Sequence, residues 1–144
     1  MSGALKLLAE DGADLEIIAA AAQDAPVRMG AGSFDPNARR STALISRFRW
    51  EEAEGAGPYQ RVRAALSFES VLGVKSRKVR RDAEQALASL LELRFQPGAE
   101  PPGGEVRVML AGGGEIVLEV ECLDALLMDV GPSWKTPRRP DHEA

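Results

Sequence analysis

The chain has 144 residues, of which 44% are hydrophobic and 28% charged, with a formal net charge of −4. That length fits one domain able to bury a core unaided, and the composition excludes a wholly disordered chain. A single cysteine, Cys122, excludes an intrachain disulfide and fits a reducing compartment, so a cytoplasmic protein is expected.

The charge is unevenly spread along the chain. Residues 26 to 81 hold twelve basic and five acidic side chains, whereas residues 82 to 129 hold two basic and ten acidic. A basic half therefore precedes an acidic half. No stretch approaches the ~18 apolar residues of a membrane span. Glu10, Asp11 and Asp14 follow the first apolar residues too closely for a secretory signal region.

In chain order, Asp11 is a candidate N-cap, and Leu15, Ile18 and Ala22 repeat at helical spacing, predicting a helix over 12–23 that stops before Pro26. Val27 and Met29 then alternate with Arg28, and the run to Phe34 reads as a strand pair closed by the turn Asp35-Pro36-Asn37. Over 41–50, Thr42, Leu44, Phe48 and Trp50 are assigned to one face of a strand, with Arg47 and Arg49 on the other. Residues 51–58 read as a loop.

Val62, Ala64, Leu66, Phe68, Leu72 and Val74 share one face of a long strand, or of two in sequence with a bulge near Gly73. Residues 82–89 fit either a helical turn or a loop. Leu91, Leu93 and Phe95 alternate as a strand, and the proline- and glycine-rich stretch 97–104 is a loop. Val106, Val108 and Leu110, joined through Ala111-Gly112-Gly113-Gly114 to Ile116, Leu118, Val120 and Cys122, form a β-hairpin. Leu123, Leu126, Leu127 and Val130 mark a short C-terminal helix ended by Gly131-Pro132.

The expected fold is α+β: a mostly antiparallel, strongly curled sheet or small barrel of about seven strands, with an N-terminal and a short C-terminal helix. Its outline is similar to a pleckstrin-homology-like barrel. Residues 1–131 are expected as one globular domain and 132–144 as a tail.

Chemistry-bearing patterns are sparse. A metal centre needs several converging His, Cys or carboxylate ligands, and the one histidine, His142, stands near the end of the chain. Cys122 reads as a structural thiol on an apolar strand face. Gly112-Gly113-Gly114 lacks the Lys-Ser/Thr of a phosphate loop, and Gly30-Ala31-Gly32 lacks the rest of a dinucleotide fingerprint. No catalytic residue, metal or cofactor is assigned.

The feature that remains is Lys75-Ser76-Arg77-Lys78-Val79-Arg80-Arg81, whose charges can neutralise phosphates or acidic protein. Arg39 and Arg40 join the same surface if the strands are neighbours, and Arg61, Arg63, Arg47 and Arg49 extend it. The binding residues expected are thus Arg39, Arg40, Lys75, Arg77, Lys78, Arg80, Arg81 and Trp134. The function expected is a non-catalytic binding or adaptor protein docking an acidic partner or its own acidic half. The alternative is an RNA- or ribosome-associated protein.

Several stretches, in order, resemble an uncharacterised bacterial family, the domain of unknown function numbered 2948. They are LKLLAEDGADLEII, AAQDAPVRMG, SRFRWE, VRAALSFESVLGVKSR, GGGEIVLEVECLDALLMDVGPSW and TPRRPDH. The resemblance implies a bacterial, cytoplasmic, single-domain protein and brings no catalytic residue with it. Where that family carries an Arg-Phe pair after the turn, this chain has Arg40-Ser41.

Overall fold

The computed structural model describes residues 4–28, 33–50, 59–78 and 87–136. A first strand, β1 (Lys6–Ala9), leads into helix α1 (Gly12–Ala21). Asp11 caps the helix, its Oδ1 accepting the amide of Asp14 at 2.8 Å. Leu15, Ile18 and Ala22 are buried, as their spacing predicts, and α1 packs on β1 and on two later strands. Asp11→Ala removes the cap and is expected to lower stability by about 1 kcal/mol in urea titration, while Asp11→Ser leaves it nearly unchanged.

Strands β2 (Pro26–Arg28), β3 (Ser33–Asp35) and β4 (Arg40–Phe48) follow. β2 and β3 do not pair with each other: β3 pairs β4, while β2 lies between β4 and the later β7. The Asp35 turn is as expected, with Oδ1 accepting the amides of Asn37 and Ala38 at 3.0 and 3.2 Å. The expected loop 51–58 lies outside the described residues, as does Gly30-Ala31-Gly32.

β5 (Tyr59–Phe68) buries Val62, Ala64, Leu66 and Phe68, and a bend at Ser70, which adopts φ 58°, precedes β6 (Val71–Arg77). These are two strands with different neighbours, since β5 pairs β4 and β6 pairs β9. A register shift between Val71 and Gly73 turns Leu72 outward, removing it from the predicted face.

β7 (Leu87–Pro97) is longer than predicted, beginning within the stretch left between helix and loop. A second register shift, between Leu90 and Glu92, leaves Leu91 as the extra residue. Leu90 and Leu93 therefore face the core and Leu91 faces solvent. β8 (Gly104–Leu110) and β9 (Glu115–Val120) form the predicted hairpin. Gly112 and Gly113 turn it with φ near +90°, angles that strain other residues. Strands β10 (Ala125–Asp129) and β11 (Trp134–Thr136) complete the chain's described part.

All the pairings are antiparallel, in the order β1-β10-β5-β4-β2-β7-β8-β9-β6, with β11 also on β5 and β3 on β4. The path from β1 to β6 does not close. This corrects the expected seven-strand barrel with two helices: the described residues hold eleven strands in an open sheet and one helix.

The largest correction is the C-terminal helix, which is β10. Leu123, Leu126, Leu127 and Val130 suit a helical face, but the same run also reads with period two. Ala125 and Leu127 are buried there, while Leu126 and Met128 point to the opposite face. Lying between β1 and β5, β10 has its hydrogen bonds supplied from both sides. Tertiary pairing thus overrides a helical pattern only two turns long.

One core unites the strands. Ile45, Leu66 and Phe68 from β4 and β5 meet Val108, Leu110 and Leu118 from β8 and β9 around an apolar cavity of about 60 Å³. The other face of β1-β10-β5-β4 looks outward.

Candidate functional site

The structure places the expected basic residues at separate points. Arg39, at the turn entering β4, pairs with Glu121, and Arg40 pairs through Nε with Glu69 at 2.5 Å. The Arg39 carbonyl accepts the amide of Val71, at the start of β6. Lys78 stands seven residues further on, roughly 23 Å away along an extended strand. Trp134 lies on β11 opposite Arg61, at the end of β5 remote from Arg40. Arg80, Arg81 and His142 fall outside the described residues.

Arg47 and Arg49, expected on a polar face, are in fact buried, and Leu44 on the supposedly inner face is 40% exposed. The alternation of β4 was legible; its sense is inverted at Leu44 and Arg47, while Phe48 is buried as its hydrophobicity predicts. Arg47 has no exposed side-chain area and Asp129 only 4%. They form a bidentate pair across β5, Nε to Oδ1 at 2.7 Å and Nη2 to Oδ2 at 2.8 Å. Oδ2 also accepts the Leu5 amide at 2.9 Å, tying the residue before β1 to the same carboxylate. Burial alone pushes the Asp129 carboxyl up. The Arg47 and Leu5 hydrogen bonds and the charges of Arg47 and Arg49 outweigh it, so its pKa falls below the ordinary carboxylate value.

Two faces of the sheet carry charge in different ways. On β7, β8, β9 and β6, basic and acidic side chains alternate by row. Arg94, Arg107, Val117 and Lys75 form one row, and the next holds Glu92, Met109, Glu115 and Arg77. The rows neutralise each other: Arg107 pairs with Glu115 at 2.5 Å and Glu105 at 3.0 Å, Arg94 with Glu92 at 2.6 Å, and Arg77 with Glu115 at 3.8 Å. Lys75 and Arg77, two residues of the predicted basic segment, thus stand among carboxylates.

The outer face of β1, β10, β5 and β4 is built otherwise. Its first row is Leu8, Leu126, Ser67 and Thr42, the last two hydroxyls 3.3 Å apart. Its second is Lys6, Met128, Ala65 and Leu44. Val130 follows beside Arg63, whose carbonyl accepts its amide at 2.8 Å, with Ser46 opposite Arg63. Trp134, Arg61 and Phe48 make the last row.

Among the described side chains of these four rows there is no carboxylate. Leu8 is 63% exposed, Val130 46%, Trp134 41% and Met128 37%. Lys6 and Arg63 are exposed beside them. These four rows therefore combine an apolar centre with positive charge, and among the described residues carboxylates appear on the face only beyond the first row, where Glu69 pairs with Arg40 and Asp35 stands opposite it.

Its far end is closely packed. Phe48 is fully buried, in edge contact with Trp50 at 4.7 Å and tilted against Tyr59 at 5.5 Å. The Arg61 guanidinium stacks 5.8 Å above the Phe48 ring and donates from Nη1 to the Ser46 carbonyl at 2.8 Å. Burial lowers its pKa. Arg61 is thereby held in one orientation, its charge at the border of the apolar stripe.

Among the described residues, no group of three or more His, Cys, Asp or Glu is placed to hold a metal. Cys122 follows the end of β9 and is half-buried, rather than on a core strand face. Glu105, Glu119, Glu121 and Lys75 border an open groove of about 610 Å³ beside the 98–103 loop. No described helix is long and apolar enough to cross a membrane.

The sequence reading missed the outer face because its residues come from four segments distant in the chain. The one local signal was Leu126-Leu127-Met128, an apolar run too continuous for a half-exposed strand with one buried face.

A family model described as "Protein of unknown function (DUF2948)" matches residues 5–142. No curated protein matches the chain, and no solved structure does.

Proposed function

The chain belongs to the DUF2948 family of proteins of unknown function, and from that premise we propose that it is a non-catalytic binding domain. Its docking surface is the outer face of β1, β10, β5 and β4. One observation carries this reading: exposed Leu8, Leu44, Met128, Val130 and Trp134 share a sheet face with no covering element among the described residues. Contiguous exposed apolar surface of this kind marks interaction sites in soluble domains. Apolar centres bordered by Trp, Tyr and Arg are the usual make-up of protein-protein hot spots.

The basic segment from Lys75 is less suited to phosphate, because Glu115 stands opposite Arg77 on β9 and pairs with it. The single cysteine supports a cytoplasmic setting.

A photo-crosslinking residue placed at Met128, and separately at Val117 on the charge-alternating face, tests the proposal in living cells. Discrete protein adducts resistant to ribonuclease are expected from Met128 and not from Val117. Equal adducts from both positions would remove the outer face from consideration. Retention of RNA on filters at low salt, lost on Lys75→Glu with Arg77→Glu, would move the function to the basic segment.

A further inference from the structure

We infer that the partner of this face is an acidic protein segment with interspersed apolar residues, a reading that rests on the docking surface just proposed. Charge complementarity is the first argument. On the β7, β8, β9 and β6 face, Glu115 answers Arg107 and Arg77 from the neighbouring strand and Glu92 answers Arg94 from the same one. On the outer face of β1, β10, β5 and β4, Lys6, Arg61 and Arg63 have no carboxylate in their rows among the described residues. In a chain of net charge −4 this is a local inversion of sign. It favours an anionic ligand and opposes the chain's own like-charged copy.

Size is the second argument. Four strands about 4.8 Å apart and four rows spaced two residues apart give a face of roughly 15 by 20 Å, or about 300 Å². A stable dimer of standard size buries about 800 Å² per partner. The face therefore suits a short segment.

Spacing is the third. Arg61 and Arg63 lie two residues apart on one strand, so their Cα atoms are separated by roughly 6.6 Å. That separation matches carboxylates at alternate positions of an extended chain, or one turn apart on a helix. Met128, Leu44 and Leu8 lie in the next two rows beyond Arg63, so they receive apolar side chains that follow the carboxylates at further alternate positions on the same face of the segment, and the aromatic end at Phe48 and Trp134 stops it. The guanidinium of Arg61 is already oriented by Phe48 and the Ser46 carbonyl, so little side-chain freedom remains to be lost there on binding.

The test uses the full chain and short fluorescein-labelled probe peptides of the pattern Glu-Ser-Glu-Ser-Leu-Ser-Leu, which set Glu and Leu on one face of an extended chain, with a counterpart carrying Lys in place of Glu. Fluorescence anisotropy is expected to show binding of the Glu probe only, weakening with salt. Arg63→Glu should reduce that affinity roughly tenfold and Met128→Asp should abolish it, both with unfolding midpoints near wild type.

If the two probes bind equally and Met128→Asp removes both, the docking surface stands and its acidic specificity is refuted. If neither probe binds, the acidic segment is refuted, while crosslinking from Met128 still judges the surface separately. A concentration-dependent dimer in sedimentation, broken by Met128→Asp, would assign the face to a second copy. Binding to phosphatidylserine vesicles lost in Arg63→Glu, without peptide binding, would assign it to lipid. Either result overturns the inference.

Discussion

Asp129→Asn should destabilise the fold by about 3–5 kcal/mol, read as a lower urea midpoint at neutral pH. The Arg47 guanidinium has no solvent exposure and is held by both Asp129 oxygens. The amide side chain is nearly isosteric but uncharged, and takes the Asp129 carboxylate away from the buried arginine charge. It also weakens the acceptor for the Leu5 amide, so β1 should exchange its amide protons faster than β10 does.

The double variant Arg47→Met with Asp129→Leu is the informative control. Replacing a buried ion pair by apolar side chains of similar volume is often neutral or stabilising, so most of the loss should be recovered. If Asp129→Asn melts with the wild type, the pair does not hold the strands together.

Acid titration carries the same argument. The folded-state pKa of Asp129 lies below its ordinary value, so the stabilisation is fully present above the unfolded-state pKa of about 3.9. It is lost as pH falls from there through the folded-state pKa. The wild-type midpoint should therefore drop on acidification below about pH 4, and that part of the profile should flatten in Asp129→Asn.

Leu127→Ala is expected to cost about 2–5 kcal/mol, and Leu126→Ala less than about 1 kcal/mol. Leu127 is fully buried among Leu7, Leu66 and Ile18 in the core, whereas Leu126 lies on the outer face beside Leu8 and Ser67. Adjacent leucines with opposite fates are the mark of a strand. A helix ending at Gly131 would place both on the face that Leu123 and Val130 share, and the two substitutions would then be similarly damaging. Equal losses in thermal and urea unfolding would contradict the β10 assignment.

The two predictions bear on where sequence reasoning reached its limit. The helix α1 was legible because Asp11 and the Leu15, Ile18, Ala22 spacing are local signals. The β8–β9 hairpin was legible for the same reason, with alternation on both arms of a glycine turn. Period two in β4 was also visible, yet its orientation was assigned from hydrophobicity, placing Arg47 outside. That assumption fails where a distant carboxylate compensates a buried guanidinium, and Asp129 is 82 residues away.

The bulges at Leu72 and Leu91 reversed faces for a related reason: an extra residue in one strand is defined only against its partner. The candidate site was less legible still. Trp134 and Arg61 were noted separately, but only their pairing across β5 and β11 makes them one surface with Met128 and Leu44.

By itself, then, the sequence determined a β-rich domain with one capped helix, a glycine-turned hairpin, antiparallel pairing and a split between basic and acidic halves. Those properties follow from local period, turn chemistry and composition. Only the tertiary structure decided that β10 is a strand, that Arg47 meets Asp129 inside, and that the sheet stays open. It alone left an apolar stretch of four rows outside with no carboxylate among its described side chains. Each of those depends on register between segments far apart in the chain, and register is set by pairing energy that no local window contains.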